Sequence, residues 1–402
     1  MTAFADSTSI ARPRDRGTGP AVTPAGTRRT ALVDGSRRAP PARSGGSAHA
    51  GFANTLAACW LFAAVLGAGA AAAQADTPWK VDGKLLGEPK ASDPLDGKKS
   101  EDVSGIACAA GSGFPRLCLV VDDEAQGAQI VIVDDGELSA GDVIRLIHDT
   151  HEGKLLELDG EGVAYADGFF YVIGSHGRPR HEDGKEARNK AKAEATRRVF
   201  RIRFAADVSG PKAGKTTAAE VRSSGELVRF IKAQPALASS FDKPLEDNGL
   251  TIEGVAVRDG RLHAGMRGPV PDDGSALILS IPLGALFEGQ PGDGTVHRAR
   301  LGHDASGGRR GIRDLVAFGS GFLIVAGPVN DPPSDEVKHG DYAIFSYDGT
   351  AARKLMDLPA YGTKVKPEAL LPLEQTGGKL RALVLFDGPD EGAPRPVTID
   401  LD

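Results

Sequence analysis

Five times along the chain one short pattern returns: a polar or charged residue, a small or acidic one, apolar residues, a turn, then a second apolar run. The openings are Ser104-Gly-Ile-Ala-Cys108, Glu161-Gly-Val-Ala-Tyr165, Glu253-Gly-Val-Ala-Val257, Arg313-Asp-Leu-Val-Ala317 and Glu368-Ala-Leu-Leu-Pro372. The second runs are 118–123, 169–177, 261–270, 321–329 and 380–388, and the linking turns carry Asp167-Gly168, Asp259-Gly260, Ser320-Gly321 and Gly377-Gly378. Such pairs supply the positive φ that tight hairpins need. From one opening to the next the spacing is 57, 92, 60 and 55 residues. A unit of this length with several short strands cannot bury its apolar face alone; stacking in a ring buries it. The expected fold is all-β, a five-bladed β-propeller. The 92-residue interval leaves room for a sixth blade, but 178–197 and 232–249 read as a charged helix and a loop. A β-sandwich would not need five similar units.

Outer strands are legible at 128–136 and 142–148 in the first unit, 276–283 and 296–302 in the third, and 341–349 and 352–359 in the fourth. The second unit has a third strand at 197–205 and no clear outermost one. The last unit has 394–401 and nothing beyond it. The stretch 78–87, PWKVDGKLLG, is the one strand without a unit. The expectation is that it completes the last blade and closes the ring, because closure removes exposed edges.

The propeller accounts for residues 76–402. Ahead of it, residues 1–50 hold eight Arg, no Lys and three acids, with a single aromatic. Too little apolar surface is available there to offset the entropy of ordering, so 1–55 reads as a disordered extension or a start placed too far upstream. Leu56–Ala73 is an 18-residue run without a charge, followed by Ala73-Gln74-Ala75. Basic residues, an apolar run and a small-x-small site form a secretory signal, with cleavage near 75. The mature chain then has 40 basic and 51 acidic residues, a net charge of −11. That balance argues against a nucleic-acid partner and against adhesion to anionic membranes. The expectation is an exported protein, periplasmic or secreted, monomeric and without a membrane anchor after cleavage. Cys108 and Cys118 flank a short turn between apolar runs, and neighbouring hairpin strands in an oxidising compartment can join them as a disulfide.

The set EGVAY…FFYVIGSHG, IEGVAVRDGRLHAGMRGPV and GIRDLVAF…FLIVAGPV resembles the exported bacterial proteins grouped as domain of unknown function 3616. Those are in turn similar to phytase-like and esterase-like propellers. The resemblance covers about residues 100–390. It implies a propeller fold and export, and assigns no activity.

In a propeller the starts of the first strands and the ends of the second strands meet at one mouth of the central channel. Here the first set supplies Glu161, Glu253, Arg313 and Glu368, and the second Asp122, Asp123, His176, Arg267 and Asp387. Crowded carboxyls raise one another's pKa, and Arg lowers it. The expected ligand contacts are His176, Arg267, Arg313, Glu161, Glu253, Glu368 and Asp387. The recurring Glu positions also fit a structural role, bonding backbone near the channel. Asp122, Asp123 and Glu124 could hold Ca2+ with other oxygens, although an acidic turn is the commoner explanation. The charged insertion Arg178–Arg198 reads as a solvated helix or a lid over the mouth. Nucleophile-elbow, P-loop, dinucleotide and zinc-spacing motifs do not occur. Two readings follow. One is a binding module for a small polar or anionic ligand. The other is a Ca2+-assisted hydrolase of phosphate or carboxyl esters.

Overall fold

Each repeat unit folds into an antiparallel sheet in the computed structural model, which describes residues 77–90, 92–179, 184–332 and 334–402. Blade 1 runs Val103–Cys108, Arg116–Asp122, Gly127–Asp134 and Glu137–Arg145. Blade 2 runs Gly160–Ala166, Phe169–Gly174, Val199–Phe204 and Ala219–Ser224. Blade 3 runs Thr251–Arg258, Arg261–Gly268, Ser275–Pro282 and Thr295–Arg300. Blade 4 runs Arg310–Phe318, Gly321–Pro328, Ala343–Tyr347 and Ala352–Asp357. Blade 5 has three strands, Lys366–Thr376, Lys379–Asp387 and Arg395–Asp400. Each inner strand packs against the inner strands on either side, and that of blade 5 packs back on that of blade 1. The fold is therefore a five-bladed β-propeller. Its interior is five apolar cores, one between each pair of neighbours, including one between blades 5 and 1 built on Val103, Ile106, Leu371 and Leu385.

The inner strands approach each other closely, and this explains the glycine of the repeat. A Cβ on Gly105 would lie 2.8 Å from the Gly162 Cα, and one on Gly254 would lie 2.6 Å from the Leu315 nitrogen. Blade 4 has Asp314 at this position. Its buried carboxylate accepts from the N–H of Leu370 in blade 5, at 2.8 Å, and so ties the two strands.

The N-terminal segment lies at the seam but pairs differently from expectation. Lys80–Asp82 joins the outermost strand of blade 1, in parallel, and does not complete blade 5. Trp79 reaches the last blade: its N–H donates to the Pro394 carbonyl at 2.7 Å. Trp79 and Leu85 fill the core between blades 5 and 1. The hairpin Leu86–Lys90 with Asp93–Lys99 follows.

Three other differences have local causes. The fourth strand of blade 1 starts at Glu137, not 142, because Asp135-Gly136, with φ +93° at the glycine, makes the turn. The outermost strand of blade 2, Ala219–Ser224, is a half-exposed rim strand with a polar sequence and hence no apolar signature. Within 232–249, read as a loop, the chain forms short helices; Leu227–Ala233 and Pro235–Ala238 put Phe230, Ile231 and Leu237 into the core between blades 2 and 3. Cys108 and Cys118 lie directly opposite each other and are joined as a disulfide. The expected leader at 56–75 and the expected extension before it lie outside the described residues. Among the described residues no helix is long and apolar enough to cross a membrane.

Candidate functional site: the channel mouth

The polar residue that opens each repeat is a bulge. In every blade the pairing between the first and second strands skips the opening residue of the repeat: Ser104, Glu161, Glu253, Arg313 and Glu368. A bulge leaves its extra residue unpaired and re-aims its side chain. Five in-register bulges on five inner strands re-aim these side chains, and those of Glu253, Arg313 and Glu368 meet.

On the side of blades 3 to 5 the meeting is an ion-pair network. Arg313, 2% exposed, donates through Nε to Glu368 Oε2 at 2.8 Å and through its terminal nitrogen to Oε1. The same Nε lies 2.9 Å from Glu253 Oε2. Arg267 donates to Glu253 Oε1 and Asp331 Oδ1, both at 2.8 Å, and to the Val329 carbonyl at 2.6 Å. Lys366 donates to Asp331 Oδ2 at 3.1 Å and Asp387 Oδ2 at 2.9 Å. Burial works to lower the pKa of Arg313, but Glu253 and Glu368 hold its guanidinium firmly charged. Burial likewise opposes the charge on Asp331, and Arg313, Arg267 and Lys366 override it, keeping the carboxyl well below its ordinary range.

Blades 1 and 2 present the opposite situation. Asp102, Asp122, Asp123, Asp159 and Glu161 form no ion pair among the described residues. Burial pushes Asp102 up to about 7, with Asp387 and Glu124 adding to it. Burial raises Asp159 to about 6 against the hydrogen bond from the Ser175 hydroxyl. Asp123 is raised well above its ordinary value by burial, Asp159 and Asp122; its Oδ1 is buried and accepts no hydrogen bond. Glu161 is raised by burial first, then by Glu253, Asp159, Asp123 and Glu368. These partners come from four blades, which places Glu161 where the channel converges.

Of the residues singled out in the sequence, Arg267, Arg313, Glu253, Glu368 and Asp387 thus belong to one network and Glu161 to the acidic sector beside it. His176 stands apart. It is fully buried with φ +55°, and its Nδ1 is 2.8 Å from the Gly174 carbonyl, so that nitrogen carries the proton. Its Nε2 has no partner, and burial, assisted by Arg197, lowers the imidazole to about 4. It is a neutral ring below the end of the inserted helix, whose Thr196 carbonyl accepts the His176 N–H. The Asp122, Asp123 and Glu124 trio does not converge. Asp122 turns to the Ser100 hydroxyl at 2.5 Å and is raised to about 8 by burial, while Glu124 is exposed. Among the described residues no three His, Cys, Asp or Glu side chains are arranged to hold a metal.

Asp102, Asp159 and Lys366 were not singled out, yet each lies two residues before a bulge, the position held by Thr251 and Gly311 in blades 3 and 4. That offset is a signal the repeat alignment contains. Asp331 lies in a loop after blade 4's second strand, where no repeat marks it. The inserted helix, Glu186–Thr196, is not polar all round. Ala195 is buried, and with Ala191 it docks on the core between blades 1 and 2. Arg198 fixes its end by a forked pair to Asp149 at 2.7 and 2.6 Å.

The profile of the family described as "Protein of unknown function (DUF3616)" matches residues 116–397, and the chain belongs to that family. No curated protein matches the sequence. Solved structures similar to the chain include a GH43 β-1,3-galactosidase, at 10% identity and a TM-score of 0.39, covering 80% of this chain and 60% of that one. Regucalcin from Agrobacterium tumefaciens, a calcium-binding protein, is similar at 11% identity and a TM-score of 0.31, covering 80% of this chain and 97% of its own. An exo-1,5-α-L-arabinanase from a bovine ruminal metagenomic library gives 8% and 0.35, covering 74% and 92%. The chain spans about three fifths of the galactosidase's length.

Proposed function

We propose that the protein is an exported binding propeller. Its site is the sector of the channel mouth formed by blades 1 and 2, and its ligand is a small polar molecule that presents hydroxyl or amine donors. One observation carries this reading: Arg267, Arg313 and Lys366 are committed to carboxylates, whereas among the described residues Glu161, Asp159 and Asp123 form no ion pair. A phosphate or carboxylate ligand would have to draw Arg267 and Arg313 away from Glu253, Glu368 and Asp331, leaving buried acids uncompensated. A donor-bearing ligand finds acceptors that need partners, Asp123 Oδ1 among them.

Calorimetric titration of residues 76–402 with neutral polyols, small amines and inorganic phosphate tests this. Polyols or amines are expected to bind and phosphate not to. Glu161→Ala should weaken binding about tenfold or more, the scale of a lost hydrogen bond to a charged or strongly polar group, with the unfolding midpoint retained. Binding of phosphate alone, or binding indifferent to Glu161, would overturn the reading.

Export is supported by the leader at 56–75 and by the disulfide, which oxidising compartments maintain. The intact mass of the protein recovered outside the cytoplasm checks both. It should correspond to a start near Asp76 and fall short by the two hydrogens of a Cys108–Cys118 bridge. A mass that includes the apolar run, or two alkylatable thiols, would refute it.

A further inference from the structure

Blades 5 and 1 meet where the ring closes. The meeting is made by backbone contacts between residues far apart in sequence: the Gly388 N–H donates to the Glu101 carbonyl at 2.7 Å, and the Glu391 N–H to the Ser100 carbonyl at 2.6 Å. Between these grips Asp102 and Asp387 form an antiparallel bridge, which sets their side chains opposite each other on one face of the seam. Two carboxyls can bond only when one of them holds a proton. Asp387 also accepts from Lys366 at 2.9 Å, a donor that Asp102 lacks among the described residues, and the proton is assigned to Asp102. We propose that this seam is a proton-operated latch: the shared proton bonds Asp102 to Asp387 and holds the ring shut, and its loss sets two carboxylates against each other and loosens the grip at 388–391.

The surroundings favour the protonated pair. On the blade 1 side Asp102 faces Glu101 and, from the end of the second strand, Asp122, Asp123 and Glu124; the Asp123 N–H donates to the Asp102 carbonyl at 3.2 Å. On the blade 5 side stand Asp387 and Glu391. The nearby cations are committed elsewhere: Lys99 pairs with Glu391 at 3.2 Å, Lys98 with Glu88, and Lys366 with Asp331 and Asp387. Ionising Asp102 therefore adds a negative charge among acids. Burial and those acids raise its carboxyl to about 7, from an ordinary value of 3.8. A carboxyl raised on folding stabilises the closed form fully below its ordinary range; that contribution fades as pH rises and is gone above about 7. The latch is tight in acid and slack in alkali.

Amide hydrogen exchange of residues 76–402 at pH 5 and pH 8, corrected for intrinsic rates, reads the seam directly. Opening at the Gly388 and Glu391 amides should be about tenfold or more greater at pH 8, since each unit of pKa shift is a factor of ten, while amides of the blade 3 ladder change less. In Asp102→Asn the amide donates to Asp387 at every pH, so the ratio should fall to about one. Should that variant not fold, Asp387→Asn serves instead, because it removes the repelling charge. A wild-type seam no more pH-dependent than blade 3, or a dependence that survives the substitution, overturns the latch.

Discussion

Arg313→Leu is expected to destabilise the protein by roughly 3–5 kcal/mol, the loss typical of breaking a buried pair from one side. Arg313 reaches Glu253 in blade 3 and Glu368 in blade 5, and each of the three is at least nineteen-twentieths buried. Removing the guanidinium leaves two carboxylates facing each other without water. The loss therefore resides in the stranded acids more than in the missing bonds. Adding Glu253→Gln and Glu368→Gln to the same chain should restore much of it, because the amides bring no charge into the channel. Urea unfolding midpoints of the single and triple variants decide this. A triple variant as unstable as the single one would mean that Arg313 contributes through packing alone. Arg267→Ala should also destabilise, because its guanidinium joins Glu253 of blade 3 to the Val329 carbonyl and Asp331 beyond blade 4. Arg267, an expected ligand contact in the sequence, thus also joins neighbouring blades in the structure.

A chain beginning at Ser100 is expected not to fold at all. It lacks Trp79 and Leu85, 9% and 1% exposed, from the core between blades 5 and 1. Large-to-small changes at such positions cost about 2–5 kcal/mol each, and together they approach the whole stability of an ordinary domain, about 5–15 kcal/mol. The truncation also strands the Gln129 side chain, whose amide takes the Leu86 N–H at 2.9 Å and gives to the Lys84 carbonyl at 3.0 Å. A chain beginning at Gly83 keeps Leu85 and the hairpin, and loses Trp79 with the rim strand. It should fold with reduced stability. Circular dichroism melts separate the outcomes: a chain from Ser100 that melts like residues 76–402 would show that the N-terminal segment is dispensable to closure.

Much of this architecture is legible in the residues. The repeat gives the inner strands because Gly-Val-Ala and its variants are apolar, small where the strands touch, and preceded by the one polar residue that bulges. Glu161, Glu253, Arg313 and Glu368 are legible for the same reason. Their partners are less so. Asp331 follows blade 4 in a loop, and a loop residue reaches Arg267 only through the fold. His176 has glycine beside it, as a ligand contact would, yet its backbone and ring bind inward to Thr196 and Gly174. The pairing of Lys80–Asp82 was not legible either. A three-residue strand with a half-exposed pattern has no face that states which blade it should join.

That pairing bears on how the chain reaches its fold. The contacts that finish the ring join Trp79 to Pro394, Ser100 to Glu391 and Asp102 to Asp387, so the first residues of the domain to be made wait for nearly the last. Contacts of such sequence separation slow folding, because the loop between them must be closed before they contribute. Blade 1 can assemble its four strands and accept Lys80–Asp82 early, as a local event. Its inner flank, with Val103, Ile106, Trp79 and Leu85, stays uncovered until the fifth blade is complete. A growing chain therefore carries an apolar surface with no internal partner, and an escort that shields this flank would act on the nascent protein and be dispensable to the finished one.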